Sequence, residues 1–416
     1  MKRTMIVVGL LLLAAPALSR ADAVVDWNAI AAQGMAGPNP LPHTRQFAIL
    51  HVAMYDAVIS VTRDHAPYGF AVEAPAGASP EAAAIAAAHA VLVALQPANA
   101  TTLDLHYVNA LASIRDGQSK NDGIAVGQQV AAMILAARAA DGFSAPVPAI
   151  DDGTAPYQWR RTPPPFAPPL LPHFARVTPW VIERADQFLP PPPPALGSRA
   201  YARAFDEVKE AGFAGSITRT PDRTDRALFH ALSHAVFWND VARQLCVGRL
   251  VGLSRTARLF ALLNTAFMDA YIGVWHAKFD VYFNWRPITA IQLADEDGNP
   301  RTTADALWVP LSVTPPHPTY PSGHAAGSGA AAYILQRFFG RNGHSIVVTS
   351  PTAPGVTLYY DRLRTIVDDV LDARVDAGIH FRFDDDAGVV QGRETARYVF
   401  KHAFRYDGVD YVDDPE

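Results

Sequence analysis

The chain has 416 residues, half of them hydrophobic, with a formal net charge of −5 and 18% charged residues. That balance, with no Lys/Arg-rich block, excludes a phosphate-backbone binder, because such proteins present a net basic face. Its one cysteine, Cys246, excludes an internal disulfide and reads as a small buried apolar residue, so stability rests on the core.

Met1-Lys2-Arg3 precedes an apolar run over 5–18 and then Ala21-Asp22-Ala23, the order of a secretory signal with a small-residue exit site. The run is shorter than the ~20 residues that cross a bilayer. A cleaved signal over 1–23 is therefore expected rather than an anchor, with export to the periplasm or the medium. No later stretch is apolar enough to span a membrane. Apolar residues at helical spacing over 44–61, 82–95, 103–114 and 126–140 predict four helices with Ala-rich faces. Proline clusters at 163–172 and 190–194 read as extended connections, since helical patterns flank both. A second helical series is predicted over 199–211, 225–246, 255–276, 324–339, 363–376 and 385–402, and only 345–349 has a strand signature. The expected fold is all-α, a helical bundle with little or no strand, divided into an N-terminal region over 24–197 and a C-terminal region over 198–416. The long segments 142–198 and 279–320 are expected to be functional or to pack over a site, and the Ala- and Leu-rich helical faces would suit a homodimer.

Three basic segments fall in order in the C-terminal region: Lys278 with Arg286-Pro287, then Pro321-Ser322-Gly323-His324, then Arg374 with Gly378, His380 and Asp384. Together they offer three cations and two histidines to one tetrahedral oxyanion, such as phosphate or vanadate, whose charge needs about as many positive partners away from water. Pro321 precedes a small-residue helix starting near Ser322, whose first-turn N–H groups carry the positive end of the helix dipole. Gly323 lets an oxygen approach the backbone, Ser322 adds a hydroxyl and His324 handles a proton at neutral pH. Arg374 and His380, six apart, would lie on different faces of an unbroken helix, so Gly378 is expected to end it and turn His380 back toward Arg374. Asp384 is then placed to accept a proton from one His380 ring nitrogen, leaving the other free to attack or ligate.

Pro287 biases Trp285-Arg286 toward an extended backbone, in an aromatic stretch over 279–285. The run Asp384-Asp385-Asp386 reads more readily as a solvent-facing helix start than as a metal cluster. Asp269 either orients an arginine of the site or sits on a helix surface. His43, His51, His230, His234 and His276 lack the paired spacing of a zinc site and are treated as structural.

These segments resemble the three-part signature Lys-x6-Arg-Pro, Pro-Ser-Gly-His and Ser-Arg-x5-His-x3-Asp of the type 2 phosphatidic acid phosphatase and vanadium-dependent haloperoxidase superfamily. Val25-Asp26-Trp27-Asn28, the segment 51–57, Phe188-Leu189-Pro190 and Phe237-Trp238 are similar to its longer bacterial haloperoxidase-like branch, so the resemblance covers nearly the whole chain after the signal. Two departures stand out: seven residues, not six, separate Lys278 from Arg286, and Ala373 stands where a serine usually precedes the arginine. On a continuous helix the added residue would rotate Arg286 by about 100°; in an extended aromatic loop it is taken up as a bulge.

The resemblance implies that His380 is the axial ligand of vanadium in bound vanadate, or alternatively the nucleophile that becomes phosphohistidine. His324 would be the general acid/base, with Lys278, Arg286 and Arg374 neutralising equatorial oxygens and Ser322 and the Gly323 N–H donating to them. His317, seven residues before His324, looks like the histidine position of bromoperoxidases, where fungal chloroperoxidases have phenylalanine. It points to halide chemistry, although a second histidine could equally assist phosphate hydrolysis. The two activities are neighbours because trigonal-bipyramidal vanadate mimics the transition state of phosphoryl transfer. The implied function is a vanadate-dependent haloperoxidase oxidising halide with hydrogen peroxide. The alternative is a metal-free acid phosphatase acting on phosphate monoesters, and the departure between Lys278 and Arg286 keeps a non-catalytic helical binding protein open.

Overall fold

The structure, a computed structural model, describes residues 22–406 apart from 36, 38, 248, 250 and 251. Of the expected signal segment only Asp22 and Ala23 fall among the described residues. Asp22 is the cap of the first helix, α1 (Ala23–Gln33), and accepts from the backbone N–H of Val24 and Val25. The helices α2 (Pro40–Thr62), α3 (Pro80–Leu95), α4 (Ala100–Leu111) and α5 (Gln118–Arg138) follow. Asn39 and Ser79 cap α2 and α3, each with proline in the first turn, where the missing N–H costs nothing.

After the proline-rich connections come α6 (Arg199–Ala211), α7 (Pro221–Phe229), α8 (His234–Cys246) and α9 (Leu253–His276). Then come α10 (Pro287–Gln292), α11 (Gly323–Phe339), the hairpin of β1 (Asn342–Thr349) and β2 (Thr357–Arg362), α12 (Leu363–Asp376) and α13 (Arg382–His402). The all-α expectation holds, the one sheet among the described residues being this antiparallel hairpin. The helix predicted over 225–246 is two helices, because the chain turns at 230–233 between the end of α7 and Ser233 before α8. Three short elements, α1, α10 and β2, escaped the periodicity reading.

Every residue of α9 from Thr256 to Trp275 is buried, as expected for a helix surrounded on all sides. It packs against α2, α11 and α13. One hydrophobic cluster runs from Val24 and Phe47 through Phe260 to Phe400, crossing the expected division at 197/198. Inside it a polar network ties α1, α2, α8 and α9 together: Asn28 meets His51 Nε2 at 2.7 Å and Asn239 at 2.7 Å, and Asn239 meets Asn264 at 2.8 Å. No single described helix is long and apolar enough to cross a membrane; α3 with 97–111 passes only as a pair bent by 116°.

α13 lies backbone-close to α11. A Cβ on Gly392 would stand 1.8 Å from the Ala326 carbonyl oxygen, and one on Gly388 would stand 2.4 Å from that of Ser322. Those glycines bring the start of α13, with Asp384 and Asp385, against the start of α11.

Candidate active site

The two histidines and the arginine of the predicted signature meet at one cavity of about 580 Å³, whose wall includes His317, Gly323, His324, Arg374 and His380. Gly378 has φ +76°, past the end of α12, and this left-handed turn brings His380 back to the same cavity as Arg374. His380 Nδ1 lies 3.0 Å from Asp384 Oδ2. The same oxygen accepts from the Thr319 hydroxyl and, at 2.9 Å, from the Phe381 N–H. The brace directs the Nδ1 hydrogen toward the carboxylate and leaves a lone pair on Nε2, 3.2 Å from Arg286 NH1.

Arg286 and Lys278 reach this wall from behind. Arg286 donates to the His317 carbonyl at 2.7 Å and to the Ile379 carbonyl at 2.7 Å, and its guanidinium lies against the His317 ring, 2.9 Å from Nδ1 and 3.2 Å from Nε2. Lys278 Nζ donates to the carbonyls of Pro318 and Thr319, both at 2.6 Å. The added residue between them is not absorbed by an extended loop. Residues Ala277–Tyr282 continue α9 as a π-helical turn, a wider turn that holds one more residue, and Phe283 closes it with φ +50°. Both cations consequently stay on the site side of the chain.

Ser322 caps α11 and accepts from the Ala325 N–H. Its side chain is fully buried at the start of α11, beside Gly323 and His324 of the cavity wall. Asp384 and Asp385 are fully buried, not solvent-facing, because α13 packs on α11 at this point. Asp269 orients no arginine of the site; its carboxylate takes the N–H groups of Trp180, Val181 and Ile182 at 2.7, 2.8 and 3.0 Å.

His234, treated as structural from its spacing, lies against His324 with ring centroids 4.3 Å apart and the ring planes tilted by 55°. His230 uses its carbonyl to accept from Arg374 NH1 at 3.0 Å. Tyr271 and Trp275, two turns of α9, face the cavity too. Helical periodicity gave these four no distinction from core residues, and only their common neighbour reveals them.

Three buried cations against two buried carboxylates leave the site short of negative charge. Burial, followed by the neighbouring cations, holds Lys278 well below its usual range. Burial lowers Arg286 to about 9 and Arg374 to about 10. The same cause keeps His317, His324 and His380 neutral, with Arg286 the next contributor for His317 and His380 and Arg374 for His324. Asp384 and Asp385 are pushed up by burial. Among the described residues, Arg374 Nε and the Tyr271 hydroxyl are buried donors without a hydrogen-bond partner. A multiply charged oxyanion would supply both the missing charge and the missing acceptors.

Residues 258–408 match the family model described as "VCPO second helical-bundle domain". Over 208 residues, 42% of this chain, the sequence is 27% identical to the vanadium chloroperoxidase of Curvularia inaequalis, and the match spans 33% of that enzyme's own length. A bacterial vanadium-dependent iodoperoxidase structure superposes with a TM-score of 0.77 at 23% identity, covering 92% of this chain and 96% of the other. An apo-type bacterial vanadium-dependent chloroperoxidase superposes with a TM-score of 0.70 at 17% identity, covering 88% and 93%. Those likenesses extend the fold to nearly the whole chain.

Proposed function

We propose that this chain belongs to the vanadium-dependent haloperoxidase and type 2 phosphatidic acid phosphatase superfamily and is a vanadate-dependent haloperoxidase, exported to the periplasm or the medium, that oxidises halide with hydrogen peroxide; the match of residues 258–408 to the family model and the likeness to a vanadium chloroperoxidase support it. The observation that carries the reading is His380, braced through Nδ1 by Asp384 and presenting a lone pair at Nε2 beside Arg286 and Arg374. The donor set fits vanadate: His380 Nε2 for the metal, and Arg374, Arg286, Lys278 and the Gly323 N–H for its oxygens. Bound vanadate would act as a Lewis acid that activates peroxide toward halide.

His324 is bonded through one ring nitrogen to the Leu232 carbonyl, while Nε2 has no partner among the described residues. A neutral ring with its proton on the bonded nitrogen offers a lone pair at Nε2, so His324 accepts the peroxide proton in the cavity. His317 holds the Arg286 fork and, with Trp275 at 5.0 Å between ring centroids, shapes the halide side. Ester hydrolysis through a phosphohistidine would use the same cradle, and no separate feature of the site favours it.

Protein purified without phosphate and divided, one half receiving orthovanadate, tests the reading. Peroxide-dependent bromination in the vanadate half, abolished in His380→Ala, is the expected result. Hydrolysis of a chromogenic phosphate ester only in the untreated half would replace it with the phosphatase reading, and a His380→Ala variant that keeps every activity would sink both.

A further inference from the structure

The inorganic reactants do not account for the cavity. Vanadate, peroxide and a halide ion together have eight heavy atoms, which at about 30 Å³ for a water-sized group fill no more than about 240 Å³. The cavity holds about 580 Å³, well within the range of pockets that enclose an organic ligand. The rest of the wall is mainly apolar, with Leu170, Leu228, Leu311, Val313, Trp275 and Ile379, and Asn39, Ser312 and Thr314 are the polar side chains among them. Val313 is 71% exposed although it lines the cavity, which marks the mouth. The segment bearing it is pinned to the frame: Leu311 N–H bonds the Gly212 carbonyl at 2.9 Å and Ser312 N–H the Ala377 carbonyl at 3.0 Å. The mouth is thus part of the scaffold.

We infer that this apolar half is a binding site for an uncharged aromatic molecule, the organic acceptor of the oxidised halogen, seated between the mouth at Val313 and the anion cradle. The inference rests on the haloperoxidase reading for the acceptor's role but not for the site. Arg374 is the charged side chain in the lining and stands at the cradle end, so a charge on the enclosed part of the ligand, between the cradle and the mouth, would be desolvated without a partner. The Trp275 and Tyr271 rings, near-parallel with centroids 5.7 Å apart, both line the cavity, and such aromatic lining favours a ring over a flexible chain. In turnover, hypohalous acid formed at the cradle meets that ring: a carbon–halogen bond forms, the oxygen–halogen bond breaks, and the displaced ring proton leaves with the hydroxide as water. Confinement makes this acceptor win over others in bulk solution.

The probe is 2-naphthol, titrated into the orthovanadate-loaded protein without peroxide and followed by tryptophan fluorescence. Saturable binding is expected, weakened about tenfold or more in both Leu228→Asp and Val313→Asp, with orthovanadate affinity measured alongside to confirm an intact cradle. Because Val313 is mostly exposed, its variant should fold even if the Leu228 variant does not. Binding that is absent, or equal in wild type and Val313→Asp, overturns the site. With peroxide and bromide, wild type should brominate 2-naphthol in preference to equimolar taurine by more than reagent hypobromite does; an enzyme ratio equal to the reagent's overturns the acceptor role. The ester arm uses 2-naphthyl phosphate: if it is hydrolysed and no acceptor is brominated, the acceptor role falls with the haloperoxidase reading, while the 2-naphthol titration still decides the site. Bromination of taurine without 2-naphthol binding sinks the organic site and leaves the halide oxidation standing.

Discussion

Asp384 acts through His380, and its contribution is separable from charge. Asp384→Asn keeps the shape but offers a weaker acceptor to Nδ1, and the loss of such an outer partner typically costs about 10–100-fold in metal affinity. Orthovanadate titration by calorimetry checks this, and an affinity within threefold of wild type, about 0.7 kcal/mol, would show the brace to be incidental. Pro321–His324 with Arg374, His380 and Asp384 was legible beforehand because their chemistry is unusual at that spacing. Tyr271, Trp275, His234 and Thr319 were not, since each looks locally like an ordinary core or loop residue. His51 makes a different prediction. Burial, with Arg243 nearby, lowers it from 6.5 to about 3, so below pH 6.5 the unfolded chain binds a proton that the folded one refuses. Stability from this group is therefore present above pH 6.5 and is lost as pH falls toward 3. The stability difference between wild type and His51→Gln, from urea unfolding, should move by about 2 kcal/mol against the wild type between pH 7 and pH 5.

The π-helical turn at Ala277–Tyr282 and the close approach of α13 to α11 are what make the site geometry possible. Gly392→Ala places a methyl group inside contact distance of the Ala326 backbone, so the helices must separate. A cost of about 1–3 kcal/mol is expected from overpacking, accompanied by weaker orthovanadate binding, because Asp384 and Asp385 ride on α13. A stability loss without any change in binding would show that the start of α13 is held independently. Deleting Val281, an exposed residue of the π turn, should draw Phe283 away from its 2.7 Å bond to the Trp159 N–H and displace Arg286. Orthovanadate affinity is expected to fall about tenfold or more, and an unchanged value would mean that the added residue is inert. Helix positions were readable from apolar spacing, and the caps Ser198 and Ser322 begin α6 and α11 close to the predicted starts. The break at 230–233 was not readable, because apolar spacing continues across it and the turn answers to contacts with distant residues such as Arg374.

One core joins the N-terminal and C-terminal helices, so they should unfold together. Orthovanadate at a hundredfold excess over its dissociation constant should add about 2.7 kcal/mol, slowing hydrogen exchange in α2 as well as in α13. Protection confined to α13 would mean two independently unfolding units. The helical class, the export signal as an expectation and the order of the anion-binding residues were all available from the amino acids themselves. Apolar period, dipole and side-chain charge act over a few residues and need no partner to be recognised. The size of the cavity, the placing of Lys278 and Arg286 behind His317 and His380, and the burial of Asp384 and Asp385 came only with the folded chain. These depend on which surfaces, hundreds of residues apart, pack closely enough to exclude water, and local pattern holds no record of that distance.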